Sequence, residues 1–150
     1  MKPTLIIGLG NPLQGDDGVG CRVAEALEDC VLPPDVDVVD GGTPGVGLIN
    51  LFEGRQRVVV IDAAEMGREP GTVMRFRPED VSLTGSTDRF SLHRSGVADA
   101  IHLAQALKID LPEIDVYGIQ PALVEWNAAL SPQVEAAVTQ VVAAVLNQIA

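Results

Sequence analysis

Residues Gly8–Gly20 read GLGNPLQGDDGVG, with five glycines and two adjacent aspartates, Asp16 and Asp17, directly after the apolar run Thr4–Ile7. An apolar run that passes through glycines into a helical pattern is the strand–turn–helix unit of α/β proteins. Such a turn ordinarily receives a phosphate, because its backbone N–H groups and the helix N-terminus favour anions. Two carboxylates repel one. The loop therefore suits a cation or chemistry done by carboxylates. It is also not a dinucleotide fingerprint, since GxGxxG needs a third glycine where Leu13 stands.

Working outward, Val19, Val23, Ala26, Leu27 and Cys30 keep helical spacing until LPPD, Leu32–Asp35, where consecutive prolines cannot continue a helix. After the first strand-like run at 4–9, others occupy 36–39, 57–61, 72–76 and 114–119, most of them rich in β-branched residues. Gly96–Leu107 reads as a helix. So does the C-terminal stretch, which opens with Ser131 as N-cap and Pro132 at the first helical position, then repeats Val134, Val138, Val141, Val145 and Ile149. Strand and helix alternate, which predicts an α/β sandwich of parallel strands with right-handed crossovers, its ligands bound beyond the carboxyl ends of the strands.

At 150 residues the chain is expected to form one domain, 1–150, with a single core. Hydrophobic residues make up 47% but aromatics only 3%, so that core is built from Val, Ile, Leu and Ala, as suits helices packed on a sheet. A net charge of −11 opposes binding to nucleic acid or an anionic membrane and favours a cation or a protein partner. Cys21 and Cys30 are nine residues apart, on opposite faces of one helix, and are not expected to pair. With no signal-type h-region and no run of about 18 apolar residues, the protein is expected to be soluble and cytoplasmic.

The predicted strand ends read GLGNPLQGDD, DGGTPG and DAAE in turn, so parallel strands bring Asp17, Asp40 and Asp62 toward one edge. Clustered carboxylates repel unless a cation or a shared proton relieves them, which marks a functional site. A single Asp after a strand is ordinarily a cap or turn former. Of the adjacent pair, Asp16 is expected to take the capping role and Asp17 to face the cleft. His93, in SLHRSG, precedes a helix whose N-terminus favours the neutral imidazole, fit to ligate a metal or act as a base. His102, inside that helix, is read as an ordinary helix residue. Two carboxylates and one imidazole form an N/O donor set suited to divalent Zn, Ni or Mn.

Peptidyl-tRNA hydrolases also begin with GLGNP after a strand, but a His-bearing continuation is expected there and this chain has LQGDDGVG. A non-enzymatic metal-binding module is the third reading left open. The stretch GLGNPLQGDDGVG resembles the opening signature of the hydrogenase maturation endopeptidases (peptidase family M52), which trim the C-terminal extension of the [NiFe] hydrogenase large subunit. VVDGGTPG at 38–45, VVVIDAAEMGREPGT at 58–72, SLHRSGVADAI at 91–101, YGIQP at 117–121 and LSPQVEAAV at 130–138 are similar to that family's successive blocks.

The resemblance implies a three-layer sandwich, with a twisted, mostly parallel sheet of about five strands and helices on both faces. It implies that Asp17, Asp62 and His93 are both the catalytic residues and the metal ligands. Asp40, Gly41 and Gly42 would line the same cleft as substrate contacts. The metal implied is nickel carried by the large-subunit precursor, other divalent cations taking the site in isolation, and the protein is expected to act as a monomer. A metal-polarised carbonyl or water and an Asp-based general-base mechanism both stay open.

Overall fold

The computed structural model describes residues 1–80 and 96–150. Five strands, β1 (Thr4–Leu9), β2 (Val36–Gly42), β3 (Arg57–Ala63), β4 (Val73–Phe76) and β5 (Glu113–Ile119), form one sheet in the order β2-β1-β3-β5-β4. The helices are α1 (Val19–Glu28), α2 (Leu48–Phe52), α3 (Val97–Ala106) and α4 (Pro132–Ile149). β1, β2, β3 and β5 are parallel, and their buried Val, Ile and Leu side chains on both faces give the near-continuous apolar runs seen in the sequence. The expected α/β sandwich, mostly parallel with five strands, is what forms.

Two apolar clusters flank the sheet. On one face Ile6, Val59, Ile61, Tyr117 and Ile119 pack with the apolar stripes of α1 and α4. On the other, Leu5, Ile7, Val58, Val60 and Val116 pack with α2 and α3. Each fully buried aliphatic side chain contributes roughly 1.5–3 kcal/mol, so these layers hold the strand ends in fixed positions.

β4 runs antiparallel to β5, not parallel as the simple alternation of elements suggests. The link 64–72 holds no helix, and a parallel crossover needs about a dozen or more residues. The chain instead reverses beyond the position that β5 later fills. α2 is absent from the sequence expectations because it has only five residues, although Leu48, Ile49 and Phe52 are all buried at helical spacing. Ser131 stands at the N-cap of α4 with Pro132 after it, but its hydroxyl makes no bond to the helix; its carbonyl accepts from Glu135 N–H. Cys21 and Cys30 are both free thiols, and His102 lies exposed on α3.

The far end of α4 is tied to the sheet by polar groups. Asp115 on β5 is buried; it accepts from Gln148 Nε2 at 2.9 Å and from Arg75 at 3.3 Å, while Tyr117 OH donates to Gln148 Oε1 at 2.6 Å. Replacing Asp115 leaves the Gln148 amide and the arginine without their acceptor, although Arg75 is half-exposed and recovers water. Asp115→Ala is expected to lower stability by about 2 kcal/mol. The readout is a lower urea midpoint with an unchanged slope; an unmoved midpoint shows that the network adds nothing.

Candidate active site

The opening loop turns at two glycines. Gly10 has φ +124°, and a Cβ there would lie 1.8 Å from the Asp17 carbonyl oxygen. Gly20, in the first turn of α1, packs so tightly that a Cβ would lie 2.3 Å from the Ile61 carbonyl and 2.4 Å from that of Leu9. Only glycine permits both approaches. The result is a 3₁₀ turn, Gly15–Gly18, and an α1 N-terminus pressed onto the carboxyl ends of β1 and β3. Asp17 on that turn and Asp62 on β3 therefore stand on adjacent elements at one sheet edge, where parallel order was expected to bring them.

The two neighbouring aspartates have different surroundings. Asp17, 3% exposed, accepts from Asn11 N–H at 2.9 Å through Oδ2. Its Oδ1 has no such bond among the described residues. Asp16, fully buried, accepts four hydrogen bonds: Ala122 N–H, Leu123 N–H and Ser131 Oγ–H on Oδ2, and Ser131 N–H on Oδ1, at 2.7–2.9 Å. Burial pushes its carboxyl up, but the Ser131 hydroxyl and the three backbone donors outweigh burial and hold it below the usual carboxylate value. Asp16 is thus structural, as expected, although it staples the 121–131 segment rather than capping its own helix.

Asp62 is 2% exposed and pairs across β5 with Gly118. Asp40, at the carboxyl end of β2, is exposed. Gly41 lies against Ile7 and Leu9 of β1, and Gly42 accepts from Gly10 N–H at 2.8 Å beside a register shift in the β1–β2 pairing. Both glycines thus serve the bend that carries Asp40 to the edge. His93 lies outside the described residues. Among the described residues no three His, Cys, Asp or Glu side chains are grouped to hold a metal ion, so a ligand set built on Asp17 and Asp62 takes at least one donor from beyond them.

Two buried residues that sequence reasoning did not assign to the edge belong to it. The Cys21 thiol lies 3.4 Å from the Gly10 carbonyl, and burial, with a hydrogen bond to Asp40 and the charges of Asp40 and Asp62, pushes it up to about 12. It stays protonated, a donor to its neighbours rather than a thiolate. Gln120, just beyond β5, donates to Glu65 at 3.0 Å and accepts from Met66 N–H at 2.7 Å, locking the segment after Asp62 to the one after β5. Its signal was a polar residue ending an apolar strand. A cleft of about 320 Å³ opens beside the edge, lined by Cys21, Arg22, Glu25, Asp40 and Glu135 among others.

The family model described as hydrogenase maturation protease matches residues 21–148. The chain belongs to that family. A curated relative, the hydrogenase expression/formation protein HupD of Rhodobacter capsulatus, is 35% identical over 132 residues, 87% of this chain and 63% of the relative's length. The solved structure of the hydrogenase maturating endopeptidase HybD from Escherichia coli superposes with a TM-score of 0.82 at 32% identity, covering 99% of this chain and 91% of that one. A [NiFe] hydrogenase maturation protease HybD from Thermococcus kodakarensis gives 0.79 at 29% identity over the full length of both chains. Of the three readings left open by the opening loop, family membership selects the maturation protease. No helix among the described residues is long and apolar enough to cross a membrane.

Proposed function

We infer that this maturation protease is an endopeptidase that removes the C-terminal extension from the nickel-loaded large-subunit precursor of a [NiFe] hydrogenase, acting as a cytoplasmic monomer. The reading is carried by one observation: two buried carboxylates, Asp17 and Asp62, stand at one sheet edge, and among the described residues Asp17 is bonded through one of its two oxygens. An acceptor-only oxygen of this kind suits a cation presented by the substrate.

Asp17, Asp62 and His93 are the residues assigned to recognise that nickel, and Asp40 with Gly41 and Gly42 to contact the peptide. Recognition of the metal positions the scissile bond beside the edge, so cutting follows only after nickel insertion. The attack itself uses either a metal-polarised carbonyl or water, or a carboxylate acting as general base.

The test is to incubate the protein with nickel-loaded and with nickel-free precursor and to follow the large subunit by mass spectrometry. Loss of the C-terminal extension from the loaded precursor alone is expected. Equal cutting of the nickel-free form would move the reading to a peptidase that supplies its own metal or needs none.

A further inference from the structure

Three large apolar side chains stand exposed around the Asp17 loop: Leu13 at 61%, Leu123 at 41% and Trp126 at 64%. They belong to two loops joined by their backbones. Asn127 N–H donates to the Leu13 carbonyl and Asp16 N–H to that of Leu123, both at 2.9 Å. The Asp16 carboxylate, through its bonds to Ala122, Leu123 and Ser131, fixes the second loop from below. Asn127 adopts φ +62°, a left-handed conformation that non-glycine residues rarely take, at the turn just after Trp126. Among the described residues nothing covers this indole on its braced loop, and exposed apolar groups gathered beside a site mark a contact surface.

We propose that Leu13, Leu123 and Trp126 form the docking surface for the folded body of the precursor, so that substrate is held by these side chains while its C-terminal segment reaches Asp17. The proposal rests on the function inferred above. Its occupant follows from position and charge. The loop that bears Leu13 also bears Asp17, so a protein whose peptide reaches that carboxylate passes over this surface. Among the described residues the adjoining cleft is lined by Glu25, Asp40 and Glu135 against one cation, Arg22, which already lies 3.9 Å from Glu135. A partner with basic groups around an apolar contact therefore fits. A second copy of this chain, itself at −11, does not.

Trp126 is the only tryptophan in the sequence, so incorporation of 5-fluorotryptophan gives one fluorine resonance that reports this surface. Adding unlabelled nickel-loaded precursor is expected to shift it, in wild type and in Asp17→Asn alike. In processing assays Trp126→Ala is expected to raise KM roughly tenfold or more with kcat within about twofold, and Trp126→Phe to recover most of the loss, as for an aromatic anchor at an interface. Wild-type cutting with an unmoved resonance, or a Trp126→Ala variant with unchanged KM, overturns the docking surface and leaves the endopeptidase reading intact. Wild-type protein that shifts its resonance but cuts no precursor overturns the endopeptidase reading instead. A resonance that shifts with the protein's own concentration assigns the surface to a second copy and overturns the proposal.

Discussion

Asp17→Asn is expected to lower the rate of precursor processing by about 10²-fold or more while leaving the melting temperature within about 2 °C of wild type. The amide retains one oxygen that accepts from Asn11 N–H, and the backbone bond from Asp17 N–H to the Gln14 carbonyl is untouched, so the loop keeps its shape. What it loses is charge and basicity. Its nitrogen is a donor and cannot face a cation, and its oxygen cannot take up a proton at neutral pH. A positioned general base contributes typically 10²–10⁴-fold, and losing a direct ligand to a metal costs at least as much as the 10–100-fold of an outer partner. Both mechanisms left open therefore predict the same collapse. Asp17→Glu, which restores the carboxylate on a longer arm, is expected to regain part of the rate. Processing by Asp17→Asn at more than a tenth of the wild-type rate would remove Asp17 from the chemistry.

The features legible in the sequence were those set by local spacing. β1 spans the residues its apolar run predicted, and α4 follows its Val134–Val145 stripe because a 3.6-residue period is visible without knowledge of any partner. The loop acids were legible because parallel order follows from alternation of elements, and order alone sends the ends of β1 and β3 to one edge. Features that depend on partners distant in the chain were not legible. Asp16 meets Ala122 and Ser131, which are 106 and 115 residues away, so its role as a staple leaves no local trace beyond an expectation that it caps something. In the sequence Cys21 shows only its spacing to Cys30, yet its environment combines burial with Asp40 of β2 and Asp62 of β3. The direction of β4 depends on where β5 later inserts, and Trp126 is given its outward position by a turn whose partner is Leu13. The glycine spacing of the opening loop was the exception, a local pattern that carries long-range information, because Gly10 and Gly20 are required by contacts with Asp17 and with β3.

Asp16→Asn separates the two neighbouring acids by the opposite behaviour. Three donors converge on Oδ2 and one on Oδ1, and a carboxylate accepts them all. An amide places its oxygen on one side only. With that oxygen facing Ala122, Leu123 and the Ser131 hydroxyl, the NH₂ group opposes Ser131 N–H, and a buried donor is left facing a donor. The loss of charge-assisted bonds together with that unsatisfied group is expected to cost about 3 kcal/mol, which for a domain of this size lowers the melting temperature by roughly 6–12 °C. The pH dependence has a fixed sign. Because the folded state holds the Asp16 carboxyl below the usual carboxylate value, its contribution is fully present above that usual value and is lost as pH falls through the folded one. The stability gap between wild type and Asp16→Asn is therefore expected to be constant from about pH 5 to 8 and to narrow below about pH 4. Urea melts at pH 7 and pH 3 measure it, and a gap that widens in acid would mean the carboxylate does not stabilise the fold. Below its melting temperature the variant is expected to keep kcat, since no donor to Asp17 has changed, and to show a raised KM if the loosened 121–131 segment no longer presents Trp126. Stability lost with kcat kept at Asp16, against kcat lost with stability kept at Asp17, is the pattern that one staple beside one chemical group produces; equal losses of both kinds at the two positions would show a single shared role.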